Sequence, residues 1–487
     1  MKNKIRLLPF WFKNFDDDVL LVNQCGDFLF ISREDFGILL RDEISKNSDL
    51  YLKLKSRLIL ADEEDLNLQT DFIANQLRTR KSFLKDFTSL HMIVVTCRCN
   101  FRCEYCHASS AALTARKQDM TWKVAKKVVE KIFNSPSQNI KIEFQGGEPL
   151  LNWQIICDIV EYAEILNRFA KRNLEFVICT NLTLADRKIL EYCKQHKIFI
   201  STSLDGDAEI QNANRKPRDK NIDGYVAFME GLNLARETLG EDSCSPLLTV
   251  TKTNLNELPR VIDSYIKLNF HGVFIRELNP YGYAEMNLKK LGYSTDEFVD
   301  AYKKALDYII EQNLQGKYFV EYFAALLLQR ILTSFPTGFV DLQSPCGDVI
   351  GGAIYDYDGN VYAADEGRML ARTGDKKFLL GNVLTDDWKE IFASEKAREI
   401  VKASCLETLP ECAFCAYQMY CGASPVRYYT ESGDFFGRRA TSNFCKKIKG
   451  IVTYLFELLR KNDTNVNDVF WSWITERSLK KIRGKNA

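Results

Sequence analysis

Histidine is scarce in this sequence, and net charge is almost absent. His91, His107, His196 and His271 are the four histidines in 487 residues, and they form no ligand or catalytic motif. Lys and Arg nearly cancel Asp and Glu, leaving a formal charge of +1, so nothing marks a surface for nucleic acid. The run Lys480, Lys481, Arg483, Lys485 reads as a short solvated tail. No apolar run approaches the roughly 18 residues of a membrane span, and there is no low-complexity tract or tandem repeat. The opening MKNKIRLLPFWFKNFDDD is closed at once by Asp16, Asp17 and Asp18 and reads as no secretory signal. The expectation is a reducing cytoplasmic setting, with neither membrane nor nucleic acid as partner.

Cysteine, by contrast, is plentiful, with fifteen in the chain. In a reducing compartment, crowded cysteines point to metal binding or catalysis before disulfides. CRCNFRCEYC (97–106) is a polar loop, not a core segment. Cys99, Cys103 and Cys106 read C-x3-C-x2-C. Zinc usually takes paired C-x2-C knuckles and four ligands. Three thiolates on one tight loop suit a [4Fe-4S] cluster with one iron left open, where such clusters otherwise take four cysteines. Cys97 ends the strand-like run HMIVVTC and reads as a bystander. Tyr105 is aromatic where a flat cofactor ring could stack. A zinc-bound interaction protein, with Cys103/Cys106 and Cys412/Cys415 as knuckles, is the alternative of another class; it leaves Cys99 unexplained.

Strand-like and helix-like segments alternate from residue 91. HMIVVT (91–96), IKIEFQ (140–145), LEFVICT (174–180), IFISTSL (198–204), PLLTVTK (246–252) and GVFIREL (272–278) read as strands, separated by segments of helical periodicity. Six such units predict a parallel sheet curled into a partial barrel. Ligand sites in such sheets lie at the carboxyl ends of strands, which is where the cysteine loop falls. The second strand ends in QGGEP: Gly146 and Gly147 let the backbone pass close to a ligand, Glu148 stands at a helix start, and Pro149 suits the first helical turn.

CNFRCEYC followed by the GGEP turn resembles the radical S-adenosylmethionine (SAM) superfamily. The resemblance implies that the open iron of a [4Fe-4S] cluster held by Cys99, Cys103 and Cys106 chelates SAM, which is cleaved reductively to a 5′-deoxyadenosyl radical. It implies that Gly146, Gly147 and Glu148 receive the SAM amino group. Ser203 of SLDG and Arg215 of QNANR would bind its carboxylate or ribose, where the peptide-modifying branch carries S-x-D-G and H-D-x-x-R; here Gln211 and Asn212 replace the His and Asp.

Near the C-terminus, CAFCAYQMYC and a distant cysteine supply Cys412, Cys415, Cys421 and Cys445. This resembles the SPASM domain of peptide-modifying radical SAM enzymes and implies one auxiliary [4Fe-4S] cluster. Pro425 and Ala364 stand where further cysteines are usual. With Cys346 alone left of the other auxiliary set, that cluster is expected to be missing; Cys405 reads as structural. Cys25, Cys157, Cys179, Cys193 and Cys244 read as core, and His107 as a neighbour of the site or a surface residue. Asp365, just past the altered ligand position, is the candidate catalytic base.

Residues 1–88, with DVLLVN and FLFIS as two strands around a turn containing Gly26, resemble the small winged-helix domains that recognise precursor peptides. The expected fold class is therefore α/β: a winged-helix-like domain (1–88), a partial (β/α)6 TIM-like barrel (89–294), linking helices (295–339), a SPASM-like iron–sulfur domain (340–450), and C-terminal helices with a basic tail (451–487). The whole resembles most the radical SAM maturase of the His-Xaa-Ser system. That implies a ribosomally made precursor peptide as substrate, an electron donor such as flavodoxin or ferredoxin, and a second maturase as a further partner. The alternative enzyme is an anaerobic sulfatase maturase that makes formylglycine.

Overall fold

The computed structural model describes residues 5–484; residues 1–4 and 485–487, including Lys485 of the basic tail, lie outside the described residues. The first unit holds β1 (Ile5–Leu7), β2 (Phe10–Phe15), β3 (Asp18–Asn23), β4 (Phe28–Ser32) and β5 (Leu60–Asp62). β2, β3 and β4 form an antiparallel meander, and β1 pairs with β5. The β3–β4 turn is fixed by Asn23, whose Oδ1 accepts from the backbone N–H of Cys25 at 2.8 Å and of Asp27 at 3.0 Å. Gly26 sits there at φ 82°, a backbone conformation that favours glycine.

Strand period explains how this unit is held. Successive side chains on a strand point to opposite faces. Val19 and Leu21 pack with Leu39, Tyr51 and Leu54 of the unit's own helices, while Leu20 and Val22 enter the core shared with the C-terminal region. Trp11 Nε1 donates to the carbonyl of Ala413 at 2.8 Å, Tyr420 Oη donates to that of Gly26 at 2.8 Å, and the Phe28 ring lies 5.1 Å from that of Phe456. The unit is docked on the C-terminal cysteine region.

The body contains β6 (Leu90–Thr96), β7 (Asn139–Gly146), β8 (Asn173–Cys179), β9 (Ile198–Ser203), β10 (Cys244–Thr249), β11 (Gly272–Val273) and β12 (Ile275–Arg276). β6, β7, β8, β9, β10 and β12 are parallel neighbours in that order. Ile140, Ile142 and Phe144, alternating along β7, pack under the helices Trp122–Phe133 and Trp153–Ala170. This parallel run is consistent with the expected partial barrel, and the structure departs from a simple six-strand series at its two edges. The sixth strand breaks at Phe274: β11 pairs with β13 (Val320–Glu321), and β12 pairs with β10. At the other edge the sheet continues beyond β6 into β14 (Gly352–Tyr355), which is parallel to β6, and then into antiparallel β15 (Asn360–Tyr362) and β16 (Leu379–Asn382). The result is a mixed nine-stranded sheet. The helix Asn443–Lys461 runs across position 450. Among the described residues no helix is long and apolar enough to cross a membrane.

Candidate active site

Cys99, Cys103 and Cys106 share one cavity of about 240 Å³ with Gly146, Gly147, Glu148, Ser203 and Arg215, at the carboxyl ends of the parallel strands. The loop is stitched to the end of β7. The backbone N–H of Gly147 donates to the carbonyl of Thr96 at 2.9 Å, and that of Glu148 to the carbonyl of Arg98 at 2.7 Å. A Cβ at Gly146 would stand 2.1 Å from Thr96 O, and one at Gly147 would stand 2.2 Å from Arg98 O. Both positions are sterically closed to a side chain, which is the physical content of the Gly-Gly pair.

Glu148 is buried and accepts from Leu150 N at 3.1 Å, Thr180 Oγ1 at 2.7 Å and Asn181 N at 2.9 Å. Burial pushes its carboxyl up to about 7, against the opposing pull of these bonds. Oε2 takes one of the three donors, leaving it acceptor capacity toward a further one.

Arg215 pairs with buried Asp205, Nε to Oδ2 at 3.1 Å and a terminal nitrogen to Oδ1 at 3.2 Å, and its guanidinium lies 5.3 Å from the centre of the Tyr105 ring. Tyr105 Oη donates to Asp205 Oδ2 at 2.6 Å. Tyr105 and Arg215 thus line the cavity as one unit, held from behind by a carboxylate that sequence reasoning passed over although it lies inside SLDG. Gln211, where the peptide-modifying branch carries His, donates from Nε2 to the carbonyl of Ser203 at 3.2 Å and accepts from Asp205 N at 2.8 Å. It shapes the Ser203 turn.

Cys97 does not line this cavity; it packs with Met92, Val94, Ile354 and Tyr362 on the other side, and its Sγ accepts from Arg368 at 3.1 Å. Arg368 also reaches Asp356 at 3.2 Å. One residue departs from the sequence reading. Cys179, expected in the core, lines the cavity, and its Sγ lies 3.3 Å from Glu143. Of the two readings of His107, the structure has the neighbour of the site. It lines the cavity, its buried Nε2 has no partner among the described residues, and burial lowers its pKa to about 4, keeping the ring neutral. A cysteine at the last residue of a barrel strand was the available signal for Cys179.

Arg276, also unremarked in the sequence, ends β12 and lines both this cavity and a second one of about 70 Å³ against Asp341, Glu366, Arg427 and Lys447. Asp365 opens the helix Asp365–Arg372, and its Oδ1 accepts from Glu366 N at 3.1 Å. Asp365 lines neither cavity. Its neighbours do, Glu366 in the smaller and Met369 in the larger.

The thiols suit the cofactor implied by the resemblance. Burial raises the Cys99 thiol well above its ordinary value, with Glu148, Cys103 and Cys106 adding to the effect, so the three thiols feel one another across the cavity. Cys421 is raised first by burial and then by Cys415, Cys445 and Cys412, which marks the same mutual proximity in the C-terminal set. Cys405 stands apart, with its Sγ 3.4 Å from the Val401 carbonyl, and Cys346 is buried beside Ser404 and Asp348. Among the described residues no three or more His, Cys, Asp or Glu side chains converge on a point suited to a single ion. Soft thiolates spread around a space are the donor set of a polynuclear iron–sulfur group.

Residues 93–265 match the family model described as the Radical SAM superfamily. They form a radical SAM domain. Over 117 residues the chain is 40% identical to the uncharacterized protein MJ0907 of Methanocaldococcus jannaschii, a stretch of 24% of this chain that spans 38% of that protein's length. It is 24% identical over 377 residues to the cysteine-type anaerobic sulfatase-maturating enzyme of Clostridium perfringens, covering 76% of this chain and 96% of that enzyme. Among solved structures, native anSMEcpe with bound AdoMet and Kp18Cys peptide superposes with a TM-score of 0.63 at 21% identity, covering 78% of this chain and 99% of that one. Streptococcus suis SuiB bound to precursor peptide SuiA superposes with a TM-score of 0.50 at 14% identity, covering 90% and 99%. At these identities the superpositions establish a shared fold around the radical SAM domain.

Proposed function

We propose that this chain is a radical SAM enzyme that reductively cleaves S-adenosylmethionine and modifies a ribosomally synthesised precursor peptide. The observation that carries the reading is the convergence of Cys99, Cys103, Cys106, the Gly146–Glu148 turn, Ser203 and Arg215 on one cavity at the carboxyl ends of the strands. When bound, a [4Fe-4S] cluster and SAM would supply the one-electron cleavage and the hydrogen abstraction. The chain's own residues do the positioning. Cys99, Cys103 and Cys106 hold the cluster, and Gly146 and Gly147 admit the SAM methionine moiety against the backbone. Glu148 offers its remaining acceptor capacity to the amino group, and Ser203 and Arg215 face the carboxylate and ribose while Tyr105 backs Arg215. Asp365, which opens the helix whose Met369 lines the cavity, is the candidate base for the proton released when the substrate radical gives up an electron to the auxiliary cluster. Cys412, Cys415, Cys421 and Cys445 hold one auxiliary [4Fe-4S] cluster in a SPASM-like domain. The winged-helix-like unit holds the precursor's leader, a carrier such as flavodoxin or ferredoxin delivers electrons, and a second maturase acts on the same peptide. Within this class the sequence is most like the maturase of the His-Xaa-Ser system.

Anaerobic reconstitution tests the reading. It requires about eight irons per chain with matching sulfide, release of 5′-deoxyadenosine and methionine, and a mass change in a co-expressed precursor. Stoichiometric zinc without iron would support the interaction-protein reading instead. One observation favours a second enzymatic reading: the alignment spans nearly the whole length of a sulfatase-maturating enzyme. Gln211, Asn212, Ala364 and Pro425 depart from the pattern expected of such enzymes. Conversion of cysteine or serine to formylglycine in a sulfatase-derived peptide would decide for it.

A further inference from the structure

The C-terminal cysteines lie among arginines that no carboxylate answers. Arg439 is 2% exposed, and its guanidinium sits 3.8 Å from the centre of the Tyr428 ring. It donates to the carbonyls of Phe436 at 2.8 Å, Phe435 at 2.9 Å and Ala403, and its buried Nη1 has no partner among the described residues. Arg330, partly buried on the helix Tyr322–Leu332, donates at 2.7 Å to the carbonyl of Met419, just before Cys421. Its Nε is shut off from solvent and has no partner either. Arg80, 6% exposed, donates to the carbonyl of Arg330 at 2.9 Å, and its charge acts on that of Arg330. The charge of Arg439 reaches Cys412, and that of Arg330 reaches Cys421. Asp27 acts on Arg80 and Glu411 on Cys445. Arg330 and Arg439 form no ion pair among the described residues; all their hydrogen bonds run to backbone carbonyls.

Taking a cation out of water is costly unless an anion compensates it. Four thiolates on an iron–sulfur cluster would supply that anion, and the net charge around such a cluster is one of the terms that set its potential. We propose that Arg330 and Arg439 are positioning residues for the auxiliary cluster: their uncompensated charges favour its loading and raise its reduction potential. The inference rests on the auxiliary-cluster reading and adds which side chains fit that cluster to accept an electron. A fixed cation in a poorly screened interior stabilises the more negative, reduced state. In the step served, the substrate radical loses one electron, the cluster gains one, and the proton goes to the candidate base. Arg80 backs Arg330 from the first unit.

The test uses the full chain, reconstituted anaerobically with iron and sulfide in a Cys99→Ala/Cys103→Ala/Cys106→Ala background, so that only the auxiliary site is loaded. Arg439→Gln and Arg330→Gln each remove a charge, whereas Arg439→Lys and Arg330→Lys keep it. Redox titration followed by electron paramagnetic resonance reads the midpoint potential. Each glutamine variant should fall by about 59 mV or more, tenfold in the one-electron equilibrium constant, while the lysine variants stay near the unsubstituted value. The gap in urea midpoint between loaded and cluster-free chain should narrow in the glutamine variants alone. A glutamine variant that takes up no cluster, beside a lysine counterpart that does, meets the same expectation. Unchanged potentials in both glutamine variants would overturn the proposal. So would an equal shift or an equal loss of loading in the lysine variants, or an equal shift in the remote control Lys123→Gln. If the background chain binds no iron, the auxiliary-cluster reading itself fails, which is a separate outcome.

Discussion

At the scale of single residues, the loop that follows β6 separates cysteines that look alike in the sequence. Cys97→Ala should retain the full iron content, because its thiol faces Arg368 and not the cavity. The loss of that contact and of packing should lower stability by ~1–2 kcal/mol. Cys99→Ala, Cys103→Ala or Cys106→Ala should lose the SAM-cleaving iron; iron analysis and 5′-deoxyadenosine assay distinguish the cases. Gly147→Ala should destabilise the protein by ~2 kcal/mol or more and abolish SAM binding, since its Cβ would meet a backbone carbonyl that cannot swing aside. Denaturant midpoints and equilibrium dialysis with SAM read the two effects. Asp365→Asn should bind peptide and yield no product; a fully active variant would remove Asp365 from the mechanism. The ligands were legible because metal chemistry constrains local spacing. Cys179 could have been read from its place at the end of β8, whereas Arg276 could not, because its strand is placed by pairings with segments far apart in sequence.

Secondary-structure elements show the same division. β6 could be read from its unbroken apolar run, buried on both faces, and β7 through β10 from branched apolar residues that alternate between buried and less buried positions. The break at Phe274 could not, because it arises when β11 leaves the main sheet to pair with β13. Buried Glu321 ends β13 and secures that junction. It accepts from Ile275 N at 3.1 Å and from Ala324 N at 2.5 Å, and also bonds to Tyr302 Oη. Burial raises its carboxyl to about 7 from an ordinary 4.5. The folded state therefore holds this proton more tightly than the unfolded chain does. Its contribution is complete below pH 4.5 and is lost as pH rises through 7, a change on the order of 3 kcal/mol at most. Glu321→Gln should be less stable at low pH, where it misplaces an NH2 against donors, yet its urea midpoint should vary less across that window. An unchanged pH slope would refute the assignment.

For the whole molecule, the first unit is part of the C-terminal region's core. Deleting residues 1–88 would uncover Phe456, Tyr420 and Met419 beside the cysteine loop. The truncated protein should therefore lose about half its iron, the share of one cluster in two, together with peptide modification, while SAM cleavage persists. Phe12→Asp, on the outer strand of the meander where Phe12 is 52% exposed, tests peptide recognition without that damage. A truncated protein that modifies full-length precursor at the unsubstituted rate would end the recognition role. The sequence announced two strands and a turn here. What it did not announce was the surface on which they rest, because Leu20 and Val22 alternate with Val19 and Leu21 whichever partner covers them.

The pairing of β14 with β6 also orders events in time. His91 and Tyr355, whose side chains meet at 3.1 Å, are 264 positions apart along the chain. At the usual pace of synthesis, roughly tens of seconds pass between the emergence of β6 from the ribosome and that of its neighbour. Through that interval one flank of the nascent sheet is an open apolar edge, and Arg368 has not yet arrived to engage Cys97. A trigger-factor-like chaperone should therefore cross-link to the growing chain most strongly while residues 90–96 are outside the exit tunnel and residues 352–355 are still inside it, and let go once the latter emerge.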